Sequence, residues 1–164
     1  YFNRHPEMKL IIAPHVVGEK HLAWIQSRLN RPSRRYARAL GTNADLSRVD
    51  CLIIDCYGLL SSIYRYGEIS YVGGGFGVGI HNVLEAAVYG IPVLFGPNNQ
   101  RFREARQLLA EGGAFEIHDA TGFAATMDRL FADEAFLAQS GECAGRYVKD
   151  NAGAADAVLE AIKF

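Results

Sequence analysis

The sequence has no excess of charge of either sign. Seventeen Lys and Arg residues stand against eighteen Asp and Glu residues, so the 164-residue chain has a formal net charge of −1. Because this balance offers no general attraction to a phosphate backbone, we expect no nucleic-acid partner. Several arginines do lie close together, and we interpret them as a solvated surface segment; a surface for an acidic ligand or lipid headgroup is the alternative. They are Arg28, Arg31, Arg34, Arg35, Arg38 and, a little further along, Arg48.

Long apolar runs and cysteines are also scarce. No run approaches the roughly 20 apolar residues that a membrane-spanning helix needs, and no signal peptide is visible. We therefore expect this part of the protein to be soluble. The chain has three cysteines, of which Cys51 and Cys56 flank the apolar residues 52–54. Their spacing is not a zinc-binding pattern, so we predict buried thiols in a reducing compartment.

Strand-like and helix-like segments alternate along the whole chain. Short apolar runs predict buried strands, and apolar residues at helical spacing predict helices. Strands separated by single helices imply right-handed crossovers and a parallel sheet covered on both faces. We therefore predict one Rossmann-like three-layer αβα domain over residues 1–164. The predicted strands are 9–13, 35–40 (an edge strand), 51–55, 69–72, 92–95 and 114–117, and the predicted helices are 19–29, 59–66, 81–89, 102–110, 121–132, 134–149 and 153–163.

A glycine-rich turn is the first candidate binding element. Ligands of such sheets bind at the carboxyl ends of the strands, and residues 73–79, which follow a predicted strand, include five glycines. Glycines let the backbone come close to a ligand, and free N–H groups at the start of the next helix suit a phosphate. The spacing is not G-x-G-x-x-G, and no Walker lysine follows. A tight loop without a ligand is the alternative.

Three polar residues follow this loop directly. Asn82 and Glu85 are three residues apart, so we expect them on one face of the first helical turns. A carboxylate there could accept hydrogen bonds from a ribose diol while the helix terminus holds a phosphate. Alternatively, Asn82 caps the helix and Glu85 completes a capping-box-like pattern. His81 and Glu85 could also bind a metal, but no third ligand at useful spacing lies nearby.

A second polar turn follows the predicted strand at 92–95. Asn98, Asn99 and Gln100 are hydrogen-bonding candidates beside a ligand. A plain connection between a strand and a helix is the alternative.

Taken together, these segments resemble the 3-deoxy-D-manno-octulosonate (Kdo) transferases, glycosyltransferases with two Rossmann-like domains (the GT-B fold). The similarity covers nearly the whole chain, in the family's order. Its most specific parts are the glycine-rich loop, His-Asn-x-Leu-Glu-Ala-Ala, Gly-Ile-Pro-Val-x-x-Gly-Pro and Phe-x-Glu-Ala, here residues 73–79, 81–87, 90–97 and 102–105. Residues 11–15 look like the family's Ala-Pro-Arg-His strand end. Residues 55–60 with Tyr64 and Gly67 are similar to its Asp-Thr-x-Gly-Glu-Leu…Tyr-Gly segment.

The resemblance implies a C-terminal domain that binds CMP-Kdo. The family transfers Kdo from this donor to a lipid A precursor at the cytoplasmic face of the bacterial inner membrane, in lipopolysaccharide biosynthesis. By the resemblance, residues 14–15 would contact CMP, residues 57–59 would line its base and ribose, and Asn82 with Glu85 would hold ribose and phosphate. The whole predicted substrate-binding set is Pro14, His15, Tyr57, Gly58, Leu59, Gly74, Gly75, Gly77, His81, Asn82 and Glu85.

Two positions depart from the family pattern. His15 stands where the family has an arginine, and Leu59 stands where it has a glutamate. Both changes remove a charged contact, which indicates a subfamily variant.

The resemblance also places the acceptor site, the membrane-associating surface and the catalytic carboxylate in an N-terminal domain. Since the chain begins at Tyr1 without a methionine, we expect a piece of a longer protein with no catalytic residue of its own. We expect it to stabilise the departing CMP through loop N–H groups and to use neither a metal nor another cofactor. Two alternatives remain open: a GT-B glycosyltransferase or epimerase that uses a UDP-sugar, and a non-catalytic nucleotide-binding module.

Overall fold

The computed structural model of the protein describes residues 1–37 and 46–162. The chain divides into two compact units, Tyr1–Ile63 and Tyr64–Phe164. Each unit has its own parallel three-stranded sheet with helices. The predicted α/β class with parallel strands is therefore confirmed.

In the first unit, three short strands alternate with helical segments, and the first and third strands are apolar. Strand β1 is Leu10–Ile12, β2 is Ser33–Arg35 and β3 is Cys51–Ile53, and β3 lies between the other two. Helix α1 is Glu19–Ser27 and α2 is Leu60–Ile63, with 3-10 turns at Phe2–Arg4 and Leu46–Arg48. The core is made where the apolar face of α1 meets the central strand. It comprises Phe2, Leu22, Ile25, Cys51 and Ile53.

The second unit is built around a completely buried strand. Strand β5 (Val93–Phe95) lies between β4 (Ser70–Val72) and β6 (Ala114–Glu116), and its three side chains have no exposed surface. A continuous apolar run is what a central parallel strand covered on both faces requires. Its helices are α3 (Leu84–Ala87), α4 (Arg103–Glu111), α5 (Ala120–Ala132), α6 (Glu134–Asp150) and α7 (Ala154–Ala161), and a 3-10 turn covers Tyr64–Tyr66.

The edge strand of the first unit lies earlier in the chain than predicted. The N–H groups of Asp50 and Cys51 donate to the carbonyl of Pro32, so pairing with β3 starts there and β2 spans Ser33–Arg35. Residues 36–37 are already helical. The remainder of the predicted strand, 38–40, lies outside the described residues. Strand β2 is at the edge of its sheet, as expected.

Two arginines of the predicted surface segment are structural. Arg31 donates to four main-chain carbonyls in residues 2–8 at 2.7 to 3.0 Å and pairs with Asp50 at 3.3 Å. The side chain of Arg35 is buried and donates to Glu19 at 2.6 Å. The prediction of a solvated segment is therefore wrong for both, because each guanidinium satisfies oxygen atoms within the fold. Arg28, Arg34 and Arg48 are exposed, and Arg38 lies outside the described residues.

The burial prediction for the two neighbouring cysteines holds for one of them. Cys51 in the central strand has no exposed surface, and burial raises the pKa of its thiol to about 12. Cys56 lies beyond the end of the strand and is half-buried, as is Cys143, and all three thiols are free. Across the described ranges, no helix is long and apolar enough to cross a membrane.

Candidate functional site

The glycine-rich loop folds back on itself directly after β4. The N–H groups of Gly77 and Gly79 both donate to the carbonyl of Gly74, at 2.9 and 3.4 Å. Gly74 has a φ of +90°, and a Cβ there would lie 2.2 Å from the carbonyl oxygen of Gly79. Since only glycine tolerates both conditions, Gly74 is needed to form this loop whether or not the loop holds a ligand.

The loop after β4 packs directly on the loop after β5. A Cβ on Gly75 would lie 2.5 Å from the backbone nitrogen of Gly96, and the N–H of Asn98 donates to the carbonyl of Gly75 at 2.9 Å. Because β4 and β5 are parallel neighbours, both loops leave the sheet at the same edge. The structure therefore brings the two predicted polar turns together.

The hydrogen-bonding candidates of the second turn use their amide groups within the protein. The side-chain Nδ2 of Asn98 donates to the carbonyl of Gly77 at 2.6 Å, so Asn98 holds the glycine loop. Asn99 is buried and donates to the carbonyl of Gly96 at 3.2 Å and to the carboxylate of Glu116. These contacts connect the ends of β4, β5 and β6.

Gln100 likewise donates to a carbonyl of its own turn, that of Pro97. In the described structure the three amide side chains thus stabilise the two loops. This favours the alternative that the segment is a plain connection between a strand and a helix.

Asn82 and Glu85 do come together, although not as helix neighbours. The predicted helix 81–89 is only Leu84–Ala87, because Asn82 Oδ1 accepts the N–H of Leu84 at 3.0 Å and forms a turn there. The N–H of His81 donates to the carbonyl of Gly73, which keeps His81 in the loop. The predicted helix start at 81 is therefore wrong, and α3 is too short to offer a helix N-terminus for a phosphate.

The Asn82 amide positions the carboxylate of Glu85. Asn82 Nδ2 donates to Glu85 Oε1 at 3.1 Å. The carboxylate also acts on the hydroxyl of Tyr64: burial raises the pKa of this hydroxyl, and the charge of Glu85 raises it further. Glu85 accepts from the Asn82 side chain, whereas a capping box needs the glutamate to accept from the backbone N–H at the cap. This contact therefore differs from the predicted capping box, and it uses one of the two carboxylate oxygens.

His81 is exposed, and its ring lies against the backbone of Gly73 and Gly74. Within residues 1–37 and 46–162, no three His, Cys, Asp or Glu side chains are arranged to hold a metal ion.

A polar pocket opens beside the glycine loop. Its volume is about 250 Å³. Two of its six lining residues belong to the glycine loop, and the other four belong to the turn that leads into α4. The lining residues are Gly77, Val78, Asn98, Gln100, Arg101 and Phe102. Sequence reasoning missed Arg101; its place directly before a helix in the second polar turn was the available signal.

The remaining predicted residues lie in the first unit, beyond the ends of β1 and β3. These parallel strands are in register from Leu10 with Cys51 to Ile12 with Ile53, so the segments 14–15 and 57–59 leave the same edge of their sheet. His15 and Tyr57 are exposed, and Gly58 has a φ of +87°.

Leu59 has a structural role as well. Its carbonyl accepts the N–H groups of Ser62 and Ile63, which starts α2, and its side chain is half-buried.

Several proteins with curated names match the chain in sequence. No protein-family model matches the chain. It is 35% identical over 83 residues to 3-deoxy-D-manno-octulosonic acid transferase of Aquifex aeolicus (49% of this chain, 24% of the relative). It is 30% identical over 128 residues to the enzyme of the same name from Bordetella pertussis (77% of this chain, 30% of the relative). It is 31% identical over 117 residues to the enzyme of that name from Rickettsia typhi (70% of this chain, 25% of the relative). The chain thus spans less than a third of the length of these relatives.

A solved structure shows the same fold. The C-terminal CMP-Kdo binding domain of WaaA from Acinetobacter baumannii superimposes with a TM-score of 0.76 at 22% identity, covering 91% of this chain and 78% of that one. The fold is therefore that of the C-terminal domain of a GT-B glycosyltransferase. Together with the sequence matches, this confirms the resemblance: the chain is a relative of the 3-deoxy-D-manno-octulosonic acid transferases.

Proposed function

We propose that this chain is the donor-binding domain of a glycosyltransferase and that its donor is CMP-Kdo. The observation that carries the proposal is the pair of interlocked loops after β4 and β5. Their backbones meet without side chains between them, and the Glu85 carboxylate is held beside them by Asn82. The names of the relatives and the similarity to the fold of a CMP-Kdo binding domain support CMP-Kdo as the donor.

The glycine loop would hold the phosphate of the donor. Gly74 and Gly77 are exposed, whereas Gly75 is buried against Gly96 and would hold the loop in place. In such loops, backbone N–H groups aimed at an anion are effective donors. His81 lies against the same loop, and its ring would border the phosphate-binding subsite. As CMP departs, these groups would stabilise the charge that develops on its phosphate.

Glu85 would bind the ribose. Its Oε1 accepts from Asn82, which holds the carboxylate in one orientation, and the second oxygen would accept from a ribose hydroxyl. Charged hydrogen bonds of this kind are stronger than neutral ones. The segments 14–15 and 57–59 of the first unit, with Pro14, His15, Tyr57, Gly58 and Leu59, would contact the rest of the CMP moiety.

The complete protein would supply the acceptor half of the reaction. The transfer needs a general base that takes a proton from the acceptor hydroxyl, and we place that base in a further, N-terminal domain. We propose a lipid A precursor as the acceptor and the cytoplasmic face of the inner membrane as the place of reaction, with no metal ion involved.

Calorimetric titration of the chain with CMP, UDP and cytidine tests the proposal. We expect CMP to bind more tightly than UDP or cytidine. The variant Glu85→Ala should lose about ten- to a hundredfold in CMP affinity, which corresponds to a charged hydrogen bond of about 1.5–3 kcal/mol.

Glu68→Ala is the matched control, because Glu68 is an exposed glutamate outside the site. Equal competition by CMP and UDP would favour a UDP-sugar enzyme instead. An unchanged CMP affinity in Glu85→Ala, together with a lower melting temperature, would leave Glu85 with a structural role only.

A further inference from the structure

The pocket beside the glycine loop is lined by one cationic side chain, that of Arg101. Of the six lining residues, Arg101 alone is titratable. Its side chain is exposed, and over the described parts of the chain no carboxylate pairs with it. The guanidinium is therefore available to a ligand that enters the pocket.

The other polar groups of the pocket are already engaged. Asn98 and Gln100 each donate a side-chain N–H, to the carbonyls of Gly77 and Pro97 respectively. Arg101 is thus the pocket's principal free side-chain donor. A guanidinium presents two parallel N–H groups, which matches the two oxygens of a carboxylate.

The backbone next to Arg101 adds to the positive electrostatic potential of the pocket. Phe102, the next residue, is the N-cap of the nine-residue helix α4 and makes no side-chain cap bond, so first-turn N–H groups and the positive end of the helix dipole lie at the same corner. Glu104 is the acidic residue in the first turn of α4. It lies on the same side of the helix as Gln107, three residues further on. That side faces α6, because Gln107 accepts a hydrogen bond from the hydroxyl of Tyr147.

The chemistry of the proposed donor requires a second anion next to the phosphate. In the nucleotide ester of a 2-ulosonic acid, the carbon that bears the phosphate oxygen also bears the carboxylate. A group that recognises the carboxylate must therefore lie beside the phosphate-binding loop. The Arg101 pocket meets this condition, since Gly77 and Val78 belong both to its wall and to the glycine loop.

We propose, on the basis of the proposed function, that Arg101 binds the carboxylate of the donor sugar and makes this site selective for sugar nucleotides whose sugar is an acid. Arg101 is then a specificity residue rather than a residue needed for the nucleotide itself.

The test compares two ligands on three proteins. Freshly prepared CMP-Kdo carries the phosphate and the carboxylate, and CMP carries the phosphate alone. Each is titrated into the wild-type chain, Arg101→Gln and Arg106→Gln. Arg106 is the matched control, because it is an exposed arginine of the same helix outside the pocket lining. Circular dichroism melting should be the same for all three proteins, since the exposed side chain of Arg101 forms no ion pair with the residues that the structure describes.

We expect Arg101→Gln to bind CMP-Kdo about ten- to a hundredfold more weakly, because one hydrogen-bonded pair of charged groups is lost. Its affinity for CMP should stay unchanged. Arg106→Gln should bind both ligands as the wild type does. An equal loss for CMP and CMP-Kdo would assign Arg101 to the phosphate and overturn the proposal, as would unchanged binding of both. A wild-type chain that binds neither ligand would instead refute the proposed function, so the two failures are distinguishable.

Discussion

Replacing Gly75 by alanine should separate the two loops that form the candidate site. A Cβ at this position would lie 2.5, 2.6 and 2.9 Å from the N, Cα and C atoms of Gly96. These are backbone atoms of a buried segment and cannot rotate away as a side chain can. One of the two loops must therefore move.

The cost can be worked out from two contributions. Forcing an extra methyl group into a close-packed site costs about 1–3 kcal/mol. Moving the loop also weakens the 2.9 Å hydrogen bond from Asn98 N to the Gly75 carbonyl, a further loss of about 0.5–1.5 kcal/mol. We expect a total of about 1.5–4.5 kcal/mol, which would lower the melting temperature by roughly 3–18 °C in a domain of this size.

Gly77→Ala is the control in the same loop. A Cβ at Gly77 would have its nearest neighbour, the carbonyl oxygen of Gly74, at 3.6 Å, an ordinary contact. Urea denaturation followed by far-ultraviolet circular dichroism should show a large loss of stability for Gly75→Ala and little for Gly77→Ala. Equal stability losses in the two variants, or a loss below about 0.5 kcal/mol in Gly75→Ala, would refute the argument from loop contact.

Two further predictions concern the first unit. Arg31→Met removes the donor of four main-chain carbonyls and the partner of Asp50, so urea denaturation should show a loss of about 3–5 kcal/mol. The control Arg28→Met removes only an exposed arginine over Trp24, worth about 0.5–1 kcal/mol, and similar losses would contradict the structural role of Arg31. Burial and a thiol pKa of about 12 should keep Cys51 unreacted at pH 8 while iodoacetamide labels Cys56 and Cys143, as read by peptide mass spectrometry. Full labelling of all three is expected only in denaturant, and labelling of native Cys51 at the rate of Cys56 would show that its strand is not buried as described.

The sequence was most informative where structure depends on local pattern. The apolar runs that became β1, β3, β4, β5 and β6 were predicted within a residue or two of their bounds. Helices α5 and α6 begin after Asp119 and Asp133, whose side chains accept first-turn N–H groups at 2.7 and 2.9 Å. Period, helix caps and glycine stops act over a few residues, so they can be read without knowing the fold.

Pairing between distant segments decided the rest. Arg31 and Arg35 look like surface residues in an arginine-rich stretch, yet the carbonyls of residues 2–8 and the side chain of Glu19 surround them in the fold. The helix predicted at 81 starts only at Leu84, since His81 is held by the carbonyl of Gly73.

The same division applies to the candidate site. The sequence alone determined the class of fold, the order of its elements, the family resemblance and the segments that leave the carboxyl ends of the strands. Only the tertiary structure showed that Asn98 and Asn99 hold loops, that Asn82 orients Glu85, and that Arg101 lines a pocket. The physical reason is that a polar side chain binds a ligand only with donors and acceptors that its own fold leaves unused, and those are known only when every partner is in place.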